Sequence, residues 1–403
     1  MVLVEPQRGQ TLPASGAVTV HLVGRLTPSL LGFLLPAIQA LSAVGQRQAL
    51  LYISSDVSRE EIGPIPADVA RVHVRDSGSL LWRGDALFRA LQHFSEAHSI
   101  SVVHVHGLLP ALATARFLRG RPDHGVEVFL SPHSSRVLGW SIAKHAVFGR
   151  MQPPKLGTNG LRVIANLERE ARLLAPLDGL AVQVIDCPVP RDFFDAPRNE
   201  ANRPLLISCS LECRLAALDP LMRAAVLLND DRLGIDFHWL GKTEPNVVEA
   251  LQAAGIACFE TATAGSRAER FSTAWLYLAT CDERGFPIHL AEAMAAGLPC
   301  VALDTEVHRS MVIPGETGFL YNNVLEMLER IGELVDSQSL RHRLGQNARR
   351  ISGQRFSETE FQRRFCEAVR VDSDPVKPEL VKGVRFPTGP RPFDGSKDAP
   401  TCS

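Results

Sequence analysis

Three features of this 403-residue chain predict an α/β protein made of two Rossmann-like, doubly wound domains facing each other across a cleft. Short, β-rich apolar runs alternate with helical segments from one end to the other. The runs are apolar on successive residues, as parallel strands covered on both faces must be. A stretch with four prolines, CPVPRDFFDAPRNEANRP (187–204), divides the pattern into halves that are each long enough to bury a core.

In the first half the predicted strands are 17–24, 48–54, 69–74, 102–106, 126–131, 161–166 and 182–186, with a helical pattern from Leu81 to His98 among the connections. In the second half they are 205–210, 237–241, 256–260, 275–280, 299–303 and 318–321. The predicted organisation is an N-terminal domain over 17–186, a linker over 187–204 and a second domain over 205–352. The helix 353–372, with Phe356, Phe361, Phe365 and Val369 on one face, is expected to cross back to the first domain. Residues 1–16 and 373–403 are rich in Pro, Gly and Ser without an apolar period, and are expected to be disordered.

Hydrophobic residues make up 45% of the chain and charged residues 22%, with a formal net charge of −1, a soluble composition offering nothing to nucleic acid. The N-terminus lacks a charged start followed by an apolar run, and Pro36 and Gln39 interrupt the most apolar segment, Leu30 to Gly45. A cytoplasmic location is expected. The eight cysteines show no zinc-site spacing and read as reduced, buried thiols.

The segment CDERGFPIHLAEAMAAGLPCVALD (281–304) is the richest in chemistry. A Gly285-Phe286-Pro287 turn follows a strand and opens a helix whose free amides, those of Phe286 and Ile288 included, suit hydroxyl or anionic groups. Glu292 lies one turn in, between Ala291 and Ala293, where a carboxylate could accept two hydrogen bonds from a vicinal diol. Gly297 is placed to cap the helix in the left-handed conformation.

GFPIHLAEAMAAGLPCVALD together with HRSMVIPGETGFLYNN (308–323) resembles the second domain of the retaining "group 1" glycosyltransferases of GT-B fold. The resemblance implies a nucleotide diphosphate-sugar donor, no metal, no cofactor and no protein nucleophile. In that family a Glu-x7-Glu motif brackets the Gly-Phe turn. Its second Glu, which holds the donor ribose, corresponds to Glu292; its first, which contacts the sugar, corresponds to Arg284.

Other family positions are altered as well. Where the family has Gly-Arg and Lys-Gly pairs that neutralise the diphosphate, this chain has Ser210-Leu211 and Ala216-Ala217. Pro28 and Ser29 stand where a Gly-Gly loop is usual. Losing two charge-assisted phosphate contacts would forfeit roughly 3–6 kcal/mol. Arg214, Lys242 and Arg284 are the candidate replacement cations. Three readings of Arg284 stay open: a mark of lost function; a phosphate contact, with Glu283 meeting the sugar; or selection of an anionic donor sugar.

In the first domain, FLSPHSSR places His133 beyond a strand end, where the family has a His touching the donor sugar. HVHG, with His104 and His106, is similar to the family's fourth strand. The basic amphipathic stretch 136–155 could rest on an anionic membrane and meet a lipid-linked acceptor at its inner face. The implied function is transfer of a sugar, with retention, to a glycan or lipid-linked acceptor in surface polysaccharide synthesis. The alternative is a catalytically impaired relative acting as a scaffold or glycan-binding partner.

Overall fold

The computed structural model describes residues 5–6, 17–55, 65–75, 78–119, 125–133, 161–174, 181–209, 215–230, 234–241, 244–261, 263–281 and 285–369. The expected tail 373–403 and the basic stretch 136–155 lie outside them.

The first sheet uses strands β1 (Glu5–Pro6), β2 (Val18–Leu26), β3 (Gln48–Ser55), β4 (Ala70–His73), β5 (Ile100–His106), β6 (Glu127–Ser131), β7 (Arg162–Ala165) and β8 (Ala181–Val184). Their spatial order is β1-β4-β3-β2-β5-β6-β7-β8. Helices α1 (Pro28–Ala43), α2 (Leu80–Ala97), α3 (Leu108–Arg119) and α4 (Glu168–Leu174) cover it. All pairs are parallel except β1, which runs antiparallel to β4 and pairs Glu5 with His73, inside the stretch expected to be disordered. Alternate residues of the central strands, such as Val18, Val20 and Leu22, face one core while their neighbours face another, so both sheet faces are dry.

The second sheet contains β9 (Leu205–Cys209), β10 (Asp236–Leu240), β11 (Ile256–Phe259), β12 (Leu276–Ala279), β13 (Cys300–Leu303) and β14 (Gly318–Tyr321). It is parallel throughout, in the order β11-β10-β9-β12-β13-β14. Its helices are α5 (Arg191–Asp195), α6 (Asp219–Asp230), α7 (Pro245–Ala253), α8 (Ala264–Thr273), α9 (Ile288–Ala295), α10 (Glu306–Arg309), α11 (Val324–Asp336) and α12 (Gln338–Phe356), followed by α13 (Glu358–Val369). In each sheet the order reverses about the first long strand of its half, between β2 and β5 and between β9 and β12. Doubly wound sheets bind ligands in the crevices at those reversals.

Local chemistry explains the elements around these points. Thr27 is extended and its hydroxyl accepts the Leu30 amide at 3.2 Å, so α1 starts directly at Pro28. Helix α9 starts at Ile288, one residue later than a proline at the first helical position would give, and Pro287 is its cap. Gly297 follows with φ +78°, the left-handed cap that the sequence predicts. The chain then turns under α12, where Gly345 is obligatory: a Cβ there would lie 2.2 Å from the Gly297 carbonyl oxygen.

The proline-rich linker is more ordered than its composition suggests. It forms α5, buries Phe193 completely, and the Val189 amide donates to the Phe356 carbonyl at 2.7 Å. The crossing helix is two elements, α12 ending at Phe356 and α13 beginning at Glu358. Phe361 and Phe365 of α13 pack on Phe33 of α1, with ring centroids 5.4 and 6.0 Å apart. Arg355 of α12 is paired with Asp186, beyond β8, at 3.1 Å.

Candidate functional site

At the first reversal, β2 and β5 place His21 and His104 side by side in register. His106 ends β5, and His133 follows β6. These four imidazoles and Phe33 form one ring cluster. His133 stacks on His106 with centroids 5.1 Å apart and planes at 10°, and its Nε2 lies 2.9 Å from His106 Nδ1. Its φ of +51° is the one positive value at a non-glycine residue among the described residues. Such strain persists only where the surroundings over-determine the residue, and it is typical of functional positions. Burial pushes His133 down to about 4, against a hydrogen bond to Asn166 that opposes the shift, so the ring is neutral at physiological pH. His104 is 2% exposed with Nε2 on Ser131 Oγ at 2.9 Å, a structural setting.

At the second reversal the chemistry is ionic. Glu292, one turn into α9, is only 1% exposed. An Ala-flanked carboxylate free to reach a ligand is therefore not what folds. Arg267 of α8 clamps it with two hydrogen bonds, Nη2 to Oε1 at 2.7 Å and Nε to Oε2 at 3.2 Å. His289, one turn earlier on the same helix, places Nδ1 2.7 Å from Oε2. Burial alone would raise the carboxyl, but His289 and then Arg267 outweigh it and hold Glu292 below its ordinary range. Burial opposes a charge on His289, yet Cys209 at the end of β9 and the Glu292 carboxylate push it well above 6.5. The triad is thus a carboxylate shared by two cations in a dry site. Arg267, the more exposed partner at 19%, closes it toward solvent.

The turn before α9 also differs from expectation. The Ile288 amide donates to the Phe286 carbonyl oxygen at 2.9 Å, so it is not free for a ligand. Phe286 and Ile288 pack both on the second domain's core and on the cluster containing Phe33, Phe361 and Phe365. Through Phe33, 5.0 Å from the His133 ring, the structure brings these two residues and His133 to one apolar cluster. A Cβ on Gly285 would meet nothing within 4 Å. Glu283, Arg284, Arg214 and Lys242 lie outside the described residues. Cys281, after β12, is disulfide-bonded, which corrects the expectation of reduced thiols throughout.

Sequence reasoning missed Arg267, His289 and His21. His289 was detectable, because a His three residues before a Glu on one helix faces it. Arg267 is 25 residues from Glu292 and His21 is 85 from His106, and neither carries a local signal.

Residues 230–351 match the family described as "Glycosyl transferases group 1". EpsD of Bacillus subtilis (strain 168), named as a candidate glycosyltransferase, is 29% identical over 145 residues. That stretch is 34% of this chain, and the chain spans only 38% of the relative's length. Among solved structures, the sucrose-phosphate synthase of Thermosynechococcus elongatus superposes with a TM-score of 0.70 at 14% identity, over 87% of this chain and 98% of that one. Anabaena HepE, solved with UDP-glucose, gives 0.67 at 14% identity, over 87% of this chain and 99% of that one. No helix among the described residues is long and apolar enough to cross a membrane. The architecture is that of the GT-B glycosyltransferases, and residues 230–351 carry the group 1 sequence pattern.

Proposed function

We propose that this protein is a retaining glycosyltransferase that moves a sugar from a nucleotide diphosphate donor to a glycan or lipid-linked acceptor in surface polysaccharide synthesis. The observation that carries the reading is the coincidence of three things at one reversal of the second sheet. The group 1 match spans 230–351, the Gly-Phe turn packs toward His133, and Glu292 is held ionised within that match. HepE, with the same fold, was solved with UDP-glucose, which supports a nucleotide-sugar as the donor.

In this reading the donor ribose takes the positions on Glu292 that Arg267 holds now. A diol offers two hydrogen bonds to a carboxylate, and the clamp that it displaces consists of two charge-assisted bonds worth about 1.5–3 kcal/mol each. The exchange is close to balanced, so donor affinity is modest and Arg267 sets it. His133, neutral and rigid, meets the sugar as an uncharged donor or acceptor, and the acceptor enters from the first domain. The leaving diphosphate is stabilised by cationic side chains and helix dipoles without a metal. The chain acts in the cytoplasm, or at the inner membrane face through 136–155.

The closed clamp also favours a second reading. If Arg267 never releases Glu292, the protein is a scaffold with a glycosyltransferase's shape. Thermal-shift titrations with UDP, GDP, ADP and dTDP separate the two. A nucleotide at a hundred times its dissociation constant stabilises the native state by about 2.7 kcal/mol. The transfer reading expects one nucleotide to stabilise the wild type, less so Glu292→Gln and more so Arg267→Gln. No shift in any of the three folded proteins would falsify it and leave the scaffold.

A further inference from the structure

We propose that His289 is a specificity-determining residue of the donor site. By holding Oε2 of Glu292 it keeps the carboxylate an acceptor that only a paired 2′,3′-diol satisfies, so the site takes ribonucleoside diphosphates and rejects their 2′-deoxy counterparts. The inference rests on the transfer reading, which places the donor ribose on Glu292, and it adds a residue and a donor class that this reading leaves open.

The two cations on Glu292 are held in different ways. His289 stands three residues before Glu292 on α9, so the helix itself delivers its Nδ1 to Oε2 at 2.7 Å. Its side chain is 4% exposed, and every residue from His289 to Ala295 is buried, so neither the ring nor the helix has room to withdraw. Arg267 comes from a separate helix, α8, and its side chain is 19% exposed. Burial opposes its charge and Glu292 sustains it, with Asp192 of α5 among the further groups that attract it. A ligand arriving from solvent therefore meets Arg267 first and exchanges with it, while His289 stays.

The Arg267 clamp is a cast of the ligand that can replace it. Nη2 donates to Oε1 and Nε to Oε2, two N–H bonds from neighbouring nitrogens of one rigid plane. Two hydroxyls on adjacent carbons offer the same pair of donors, whereas a 2′-deoxyribose offers one. The torsion that turns a glutamate's carboxylate is soft, and an unheld group could roll to satisfy itself with a single hydroxyl. His289 removes that freedom, because its bond fixes Oε2 and thereby the direction of Oε1. It also fixes the protonation state. Burial favours the neutral carboxyl, and His289, ahead of Arg267, holds it ionised. Once Arg267 has left, His289 alone keeps both oxygens acceptors, and a lone hydroxyl leaves one of them unmet in a dry site. A carboxyl that took up a proton would instead carry a donor of its own and accept either sugar.

The test is calorimetric titration of the full chain with UDP against 2′-deoxy-UDP, GDP against 2′-deoxy-GDP and ADP against 2′-deoxy-ADP. For the base that binds, the wild type should prefer the ribonucleotide by at least about tenfold, the weight of one hydrogen bond to a buried charge. Arg267→Gln should keep that preference, because His289 is still in place. His289→Leu should bring the ratio near one, and His289→Asn, which returns a donor to the place of Nδ1, should restore most of it. A purely structural role for His289 would weaken both nucleotides alike and leave the ratio unchanged. Circular dichroism and melting confirm that each variant is folded. Equal affinity of the wild type for both sugars overturns the proposal, as does a preference that folded His289→Leu retains. Binding of no nucleotide by either the wild type or Arg267→Gln is the failure of the transfer reading itself, and the proposal falls with it. Should His289→Leu fail to fold, 15N spectra of the wild type decide. On adding the ribonucleotide the His289 Nδ1–H resonance should stay hydrogen-bonded while the Arg267 Nε–H resonance moves, and the reverse overturns the assignment.

Discussion

Each domain places histidine at the point where its sheet reverses, four in the first and one in the second, and the two domains treat it in opposite ways. At β2 and β5, four imidazoles pack among Phe33, Phe129 and Phe365, and the close group formed by His21, His104 and His106 contains no carboxylate. Burial governs, and the rings are neutral. At β9 and β12, one imidazole shares a carboxylate with an arginine, and His289 is charged although just as buried. The fold supplies the same niche twice, and the presence of Glu292 decides what a histidine becomes in it. The imidazoles of the neutral niche are engaged with one another and with Gln48 and Ser131, while the ionic niche suits a ligand that competes for hydrogen bonds.

The comparison breaks most sharply at Glu292. Glu292→Ala takes from the half-buried Arg267 and the buried His289 the carboxylate they share, and should cost about 3–5 kcal/mol of stability in urea unfolding. His104→Phe swaps a neutral ring for another and leaves the Ser131 hydroxyl unmatched, about 1–3 kcal/mol. If the histidine variant proves the more costly, the neutral niche is not neutral.

A double-mutant cycle sharpens the ionic side. Arg267→Leu alone strands part of the carboxylate's charge, while Glu292→Ala combined with Arg267→Leu removes both ends of the clamp. The double variant should lose less than the sum of the singles, with a coupling of about 0.5–3 kcal/mol. Additive losses would mean that the clamp contributes nothing as a pair.

The pH dependence of stability is the third test, and its sign follows from the shifts. Glu292 is held below 4.5, so its contribution is present above that pH and is lost as pH falls through the folded value. His289 is raised above 6.5, so its contribution is present below that pH and is lost as pH rises through the folded value. Glu292→Gln should therefore flatten the acid limb of a stability–pH curve, and His289→Asn the alkaline limb. Unchanged limbs would show that the shifts belong to other groups.

Most of the fold was legible because parallel strands announce themselves as apolar runs and helices as capped periodic segments. Gly297 and the last helix's phenylalanines were readable for that reason. The site was legible only where its chemistry is local. Glu292 stands one turn into a helix and His133 beyond a strand end, places that the sequence marks, but whether Glu292 is open or clamped depends on Arg267, contributed by another helix. The histidine cluster was half visible: His104 and His106 share a strand, while His21 joins them only when β2 pairs with β5. The short helix α5 inside the linker was not legible, because five residues that bury a single Phe193 have no period to read.

The smallest expected effect tests whether the turn before α9 serves packing or a ligand. A Cβ on Gly285 meets no atom within 4 Å and the backbone there is not left-handed, so Gly285→Ala should change stability by no more than about 0.5 kcal/mol. Its neighbours Phe286 and Ile288 anchor the turn from both sides, so a methyl group would not loosen it. If the donor passes close to this turn, the same methyl should reduce nucleotide stabilisation in the thermal-shift titration while the ligand-free melting temperature stays put. Unaltered nucleotide binding would move the donor away from Gly285 and toward the Glu292 clamp alone.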